Sequence, residues 1–291
     1  MNIRNYQLNL LNLEGMTLAG YSVGGEESVI VMPELDCAFD IGKCPREALR
    51  VNHVLLSHGH MDHAAGVAYW FSQRDFLGIE GGELLVAESL VGPLENLMAA
   101  VAAVEGHPSP CKFVGMLDGQ DHEIRRGLFA RAFATRHVGS SLGFTLIEVR
   151  QKLREEFADK TGPELVALKK KGVEITRRVE IPLVSYLGDT ARDRYCAKLP
   201  HVREAKVLLL ECTFFDPDHL QRARSGRHLH VTDLAEVLEG SNNQHVVLIH
   251  VTRRTNLAQA RKILRRTLPK EIFPKVSFLM SRQQVEAEDF K

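Results

Sequence analysis

Apolar positions along the chain change period from one segment to the next, and the period names the element. "YSVGGEESVIVMPE" (21–34) alternates on both sides of a Gly-Gly pair and reads as a hairpin. "VNHVLLSH" (51–58) is a short continuous apolar run, the pattern of a buried strand. "AAGVAYWFSQRDFLG" (64–78) and "SLVGPLENLMAAVAAVEG" (89–106) have helical spacing instead. Strands are predicted next at "KFVGML", "LFARAFAT", "GFTLIEV", "PLVSYLGD", "AKVLLLECT" and "HVVLIHVT". A helix, "TDLAEVLEG", lies between the last two, and another follows at "NLAQARKILRRTL". Apolar strands buried between helices predict α/β layers, with polar residues at the strand ends, where such folds build their sites. The pattern leaves strand order open. No linker, low-complexity stretch or internal repeat divides the chain, so a single domain over residues 1–291 is expected.

Composition narrows the classes. A chain of 291 residues, 44% hydrophobic and 25% charged, is large enough for a sizeable core. Lys plus Arg total 37 and so do Asp plus Glu, which is not the footprint of a dedicated nucleic-acid coat. A local basic patch would still be able to grip a phosphate backbone. "MNIRNYQLNLLNLEGMTLAG" holds no continuous apolar core of a leader, and no run reaches about 18 apolar residues, so no membrane partner is expected. The 5 cysteines are odd in number, scattered and without a C-x-x-C pair, which predicts free thiols and a cytoplasmic location.

The candidate chemistry sits in "LLSHGHMDHAAG" (55–66). His58 and His60, two apart on an extended loop, point the same way, while Asp62 and His63 aim at a second position nearby. Neutral imidazoles with a carboxylate suit a borderline divalent ion such as zinc. The lone His53 and His107 read as bystanders. One loop does not complete two metal spheres, so later ligands are needed. His137 in "TRHVGSSLGF", Asp189 in "YLGDTARD" and His250 in "LIHVTRRT" stand at predicted strand ends. Two metals held this way would clamp the attacking and leaving oxygens of a phosphodiester.

H-x-H-x-D-H followed by a distant His, Asp and His resembles the metallo-β-lactamase superfamily. Within it, "HVGSSLGF", "GDT", "LLLECTFF" and "HVTRR" are similar to the blocks of ribonuclease Z, in order along nearly the whole chain. "FDIGKCPREAL" and "KKKGVEIT" resemble the short plant-type form. The resemblance implies an αββα four-layer sandwich and a zinc-dependent endoribonuclease that cuts 3′ trailers from precursor tRNA. The alternative is a hydrolase of the same fold acting on a small phosphodiester or ester, with no RNA partner. By the same resemblance His58, His60 and His137 would hold one Zn2+, and Asp62, His63 and His250 the other. Asp189 would bridge the two, with Mn2+ or another divalent ion as a substitute.

The remaining roles are also implied by resemblance. Asp62 would orient or deprotonate the attacking water, and Asp40 in "FDIG" would orient the histidine loop without binding metal. Glu211 in "ECTF" would back a histidine proton donor. Spacing from His250 leans to His228 as that donor. The local pattern favours His230, where H-x-T leads into a helix that Thr232 would cap. Arg254 would contact a phosphate or the glutamate. A short insert at about 150–180 stands in place of the family's long tRNA-gripping arm. Its Lys169, Lys170, Lys171, Arg177 and Arg178 are nearly matched by acids, so it reads as a solvated amphipathic helix and loop as readily as an RNA handle. Thr255, Gly139 and Ser140 also depart from the family pattern. A homodimer is expected from the resemblance only.

Overall fold

The computed structural model describes residues 8–192 and 195–279. Strands β1 (Asn9–Leu13), β2 (Met16–Val23), β3 (Glu27–Met32), β4 (Cys37–Phe39), β5 (His53–Leu55), β6 (Glu83–Ala87) and β7 (Phe113–Met116) form one sheet in chain order. The second sheet holds β8 (Asp121–Arg125), β9 (Leu128–Ala134), β10 (Leu142–Leu153), β11 (Thr176–Tyr186), β12 (Val207–Glu211), β13 (His245–Ile249) and β14 (Val276–Phe278), also in chain order. Each sheet starts with three antiparallel pairings and ends with three parallel ones. The two halves thus share one topology, although the sequence shows no repeat.

The helices are α1 (Met61–Ala64), α2 (Val67–Phe76), α3 (Glu88–Glu105), α4 (Gly162–Lys170), α5 (Pro200–Arg203), α6 (Leu220–Gly226), α7 (Leu234–Val237) and α8 (Leu257–Thr267). Side chains alternate across a strand, so each buried strand feeds two layers. Ile30, Leu55 and Leu85 of the first sheet meet Phe144, Val184 and Val247 of the second in a core between the sheets. Their strand neighbours Val29, Val54 and Leu248 face outward, in a cluster with Trp70 of α2, Leu94 of α3, Leu234 of α7 and Leu264 of α8. Helix α3 lies on β6 and β7, and α5 on β10 and β11. The four layers are αββα, as the resemblance implied.

Most of the predicted strands and helices are present with shifted ends; β1, β4, β6, β8 and β14 are additions, as are α1, α5 and α6. β4 and β14 span three residues each, and β8 is an edge strand with one buried residue, so none carries a full apolar period. The insert also differs from the expected helix and loop. β10 and β11 run past the sheet as a two-stranded ribbon to Leu153 and Thr176, and α4 sits at the tip. α4 buries no residue and starts with a capping box between Thr161 and Glu164. Among the described residues, no helix is long and apolar enough to cross a membrane.

Candidate metal centre

Most candidate residues sit at a strand end or just after it, while Asp62 and His63 lie in the short α1 and His228 and His230 follow α6. Asp40 follows β4, the 57–63 loop follows β5, and His137 follows β9. Asp189 follows β11, Glu211 ends β12, and His250 follows β13. Asp40 and His250 adopt left-handed backbone, with φ of 53° and 56°. Each such residue costs of order 1–3 kcal/mol and persists only where its surroundings fix it. The fixing bonds here are Asp40 N–H to Leu55 O at 3.0 Å and His250 N–H to Ser22 Oγ at 2.9 Å.

Asp40 is fully buried and accepts four hydrogen bonds. Ser57 donates its N–H at 2.7 Å and its hydroxyl at 2.9 Å, His63 donates Nδ1–H at 2.6 Å, and Tyr186 donates its phenol. The bond to Nδ1 turns His63 Nε2 inward. Similar tethers aim the other rings: His137 Nδ1–H donates to Arg227 O at 3.1 Å, and His250 Nδ1 pairs with Thr213 Oγ1 at 3.0 Å. Ser57 Oγ lies 3.0 Å from His58 Nδ1.

The inward atoms then converge. His137 Nε2 lies 3.2 Å from His60 Nδ1, with His58 in the same group. Asp62 Oδ2 lies 3.3 Å from His250 Nε2 and 3.7 Å from His63 Nε2. Asp189 Oδ2 stands between the two groups, 3.3 Å from His63, 3.4 Å from His250 and 3.9 Å from His58. Tetrahedral ligands at zinc–donor distances near 2.0 Å lie about 3.3 Å from one another. His58 Nε2, His63 Nε2 and Asp189 Oδ1 are buried with no hydrogen-bond partner among the described residues. Orphaned buried groups are costly, and a bound cation would satisfy all three. The donor set therefore fits a divalent metal pair.

Electrostatics agree with that fit. Burial, with the nearby His63, pushes the His58 ring down to about 2, and burial lowers His137 as well, so both keep their lone pairs. Burial opposes charge on His63, but Asp189 and Asp40 outweigh it and hold the ring well above its ordinary value. Their field favours a cation at Nε2, whether proton or metal. Burial likewise opposes charge on Asp62 and Asp189, yet His250 and His63 keep both carboxyls well below the usual range. His60 is exposed, which opens this end of the site to solvent.

Glu211 and His228 complete the cluster's rim. Glu211 is fully buried and accepts from Thr190 N–H at 3.0 Å, Thr213 N–H at 3.2 Å and the Thr213 hydroxyl. His228 Nδ1 donates to Glu211 Oε1 at 3.0 Å, and its ring stacks on His250 at 5.2 Å between centroids. Burial pulls His228 down, but Glu211, then Asp189 and Asp62, raise it to about 9. His230 does not join them, which corrects the alternative donor. It is buried, with Nδ1 2.8 Å from Thr232 Oγ1 and Nε2 donating to Asp216 O at 3.0 Å. It is itself the N-cap of the 3-10 turn Val231–Asp233, a place the sequence reading gave to Thr232. Arg254 is exposed and has no hydrogen bond to Glu211 among the described residues, so the glutamate contact is absent and the phosphate contact stays open.

Sequence reasoning did not find Ser57, Tyr186, Thr213 or Arg227. Ser57 and Thr213 sat inside quoted motifs, next to His58 and Glu211. Tyr186 and Arg227 gave no local signal. Arg227 exchanges bonds with His137, donating Nη1–H to its carbonyl at 2.7 Å from a left-handed turn at φ 55°.

Fold and site together define a metal-dependent hydrolase, and residues 35–251 match the beta-lactamase superfamily domain. A tRNase Z of Arabidopsis thaliana is 32% identical over 246 residues, spanning 84% of this chain and 88% of that protein. The chain belongs to the ribonuclease Z family of that superfamily. Two solved structures share its fold. The metallo-beta-lactamase fold protein YhfI of Bacillus subtilis has a TM-score of 0.63 at 14% identity, covering 90% of this chain and 94% of that one. The short form of human tRNase Z has a TM-score of 0.58 at 15% identity, covering 91% and 96%.

Proposed function

We propose that the protein is a two-zinc endoribonuclease that removes 3′ trailers from precursor tRNA. The observation that carries this is the Glu211–His228 pair, 3.0 Å apart at the rim of the metal-ligand cluster. The tRNase Z relative supports the substrate class. In this reading His58, His60 and His137 hold one ion, Asp62, His63 and His250 the other, and Asp189 lies between. Zinc, when bound, supplies Lewis acidity and lowers the pKa of water to about 7. Asp62, fixed by Gly25 N–H at 3.0 Å, orients the attacking water. The bond broken is P–O3′, so the leaving oxygen stays on the tRNA and needs a proton. His228, kept charged by Glu211, donates it from Nε2. Asp40 keeps the His63 ring in one tautomer and direction.

The insert favours a second reading. Its arginines are already engaged, Arg154 with Glu174, Arg177 with Glu155 and Arg178 with Glu180, which leaves the insert's free cations to lysines such as Lys169, Lys170 and Lys171 at the tip. A small-diester hydrolase of the same fold would need no RNA grip. Zinc-loaded protein is expected to cut a precursor tRNA just past the discriminator base and leave a 3′-hydroxyl. Turnover of bis(p-nitrophenyl) phosphate with no cut in any precursor would replace the first reading with the second. Cys37, Cys44 and Cys212 are buried free thiols and Cys111 an exposed one, which supports a reducing compartment such as the cytoplasm.

A further inference from the structure

With the ribbon's arginines paired, cations elsewhere are left to hold a polyanion. A groove starts beside the metal cluster, where Gly24 lies against the His250 ring and Phe214 stands 6.2 Å from the His228 ring. This first lobe, of about 240 Å³, carries Arg222 and Arg254. It shares His219, Thr252 and Arg254 with a second lobe of about 430 Å³, which runs out along Asn256, Gln259 and Ile263 of the α8 segment. The two acids on the groove are engaged: Glu26 pairs with Arg253, and Asp216 accepts from Asp218 N–H at 3.0 Å.

Helix α8 lines the second lobe with Gln259, Ala260 and Ile263. In "LAQARKILRRT" there are four cations and no acid, in a chain whose total charges balance. Arg261, Lys262, Arg265 and Arg266 are all exposed, and none makes an ion pair or hydrogen bond among the described residues. Other arginines do find carboxylates, as Arg131 does with Asp121 and Arg224 with Asp233. Arg261 and Arg265 are four apart, as are Lys262 and Arg266, so like charges face each other about 6 Å apart along the axis. Such pairs destabilise a helix unless an anion lies over them. The helix dipole accounts for Arg265 and Arg266 in the last turn but not for Arg261 and Lys262. Arg261 rests over the Phe278 ring at 5.8 Å and Arg265 over Phe273 at 5.4 Å, which steadies their stems.

We propose that this groove and the cationic face of α8 hold the ribose-phosphate backbone of the tRNA body, in place of a long arm. The proposal rests on the endonuclease reading above. Arg222 and Arg254 meet the phosphates nearest the site, and the α8 cations meet those further along.

The test is binding of zinc-loaded full-length protein to mature tRNA, by fluorescence anisotropy across a salt series, beside precursor cleavage by the wild type. The variant R261Q/K262Q/R265Q/R266Q is expected to raise Kd about tenfold or more and to flatten the log–log salt slope by roughly 2 to 3. K262Q/R266Q keeps both ring contacts and is expected to flatten it by roughly 1 to 2. The α4 variant K169Q/K170Q/K171Q is expected to change neither. Wild-type cleavage with full affinity and slope in both α8 variants, or a loss confined to the α4 variant, would overturn the α8 surface and leave the endonuclease reading in place. A wild type that neither binds nor cuts tRNA would overturn both.

Discussion

Asp189 Oδ2 lies within 4 Å of five imidazoles: His63 at 3.3 Å, His250 at 3.4 Å, His137 at 3.8 Å, and His58 and His228 at 3.9 Å. Buried rings crowd one carboxylate only where cations offset their desolvation, which is why the donor set reads as a metal centre. The two histidines of "RHLH" show how far apart two neighbours' roles fall. His228 faces the cluster on Glu211, while His230 ties the 214–233 segment to itself. The variant H228A is expected to slow precursor cleavage by about 10²–10⁴-fold. Its rate on bis(p-nitrophenyl) phosphate should fall by a much smaller factor, because p-nitrophenolate leaves without a proton. H230A is expected instead to lose about 1–3 kcal/mol of stability in urea by orphaning buried partners. Equal losses on both substrates in H228A would remove the proton-donor role. Residue types and order were legible here; which of the two histidines faces the ligand cluster was not, because it depends on the turn at Arg227.

Elements set the directions of these side chains. The apolar cores of β5, β12 and β13 were legible because buried parallel strands are continuous apolar runs. β4, β6 and β14 were not read from the sequence. The ligand loops depend on close backbone approaches that only glycine allows. Gly188, one residue before Asp189, has φ of 59°, and a Cβ there would meet Ser57 Cβ at 2.7 Å. G188A would strain the backbone and push apart the Asp189 and Ser57 loops. It is expected to cost about 1–3 kcal/mol. Urea unfolding reads the stability, and elemental analysis should show a lower metal content. A variant with wild-type stability and full metal content would show that the approach is not needed. The insert belongs to this scale too: its charges were legible, but their pairing along an extended ribbon follows from the β10–β11 register.

For the whole molecule, seven candidate ligands spread from His58 to His250 are gathered at one edge of two sheets that share a core. Metal and fold are therefore coupled. An ion at a hundred times its Kd adds about 2.7 kcal/mol to stability if it binds only the folded chain. Chelator is expected to lower Tm in calorimetry and zinc to restore it; an unchanged Tm would separate the site from the fold. The sequence by itself determined the layered α/β class, through local apolar period, and the candidate ligands, through residue types whose chemistry does not depend on place. Tertiary structure alone decided the convergence of those ligands, the tethers from Tyr186 and Arg227, and the placement of His228 beside Glu211. These are distances between residues far apart in the chain, and no local pattern encodes them until the two sheets close on each other.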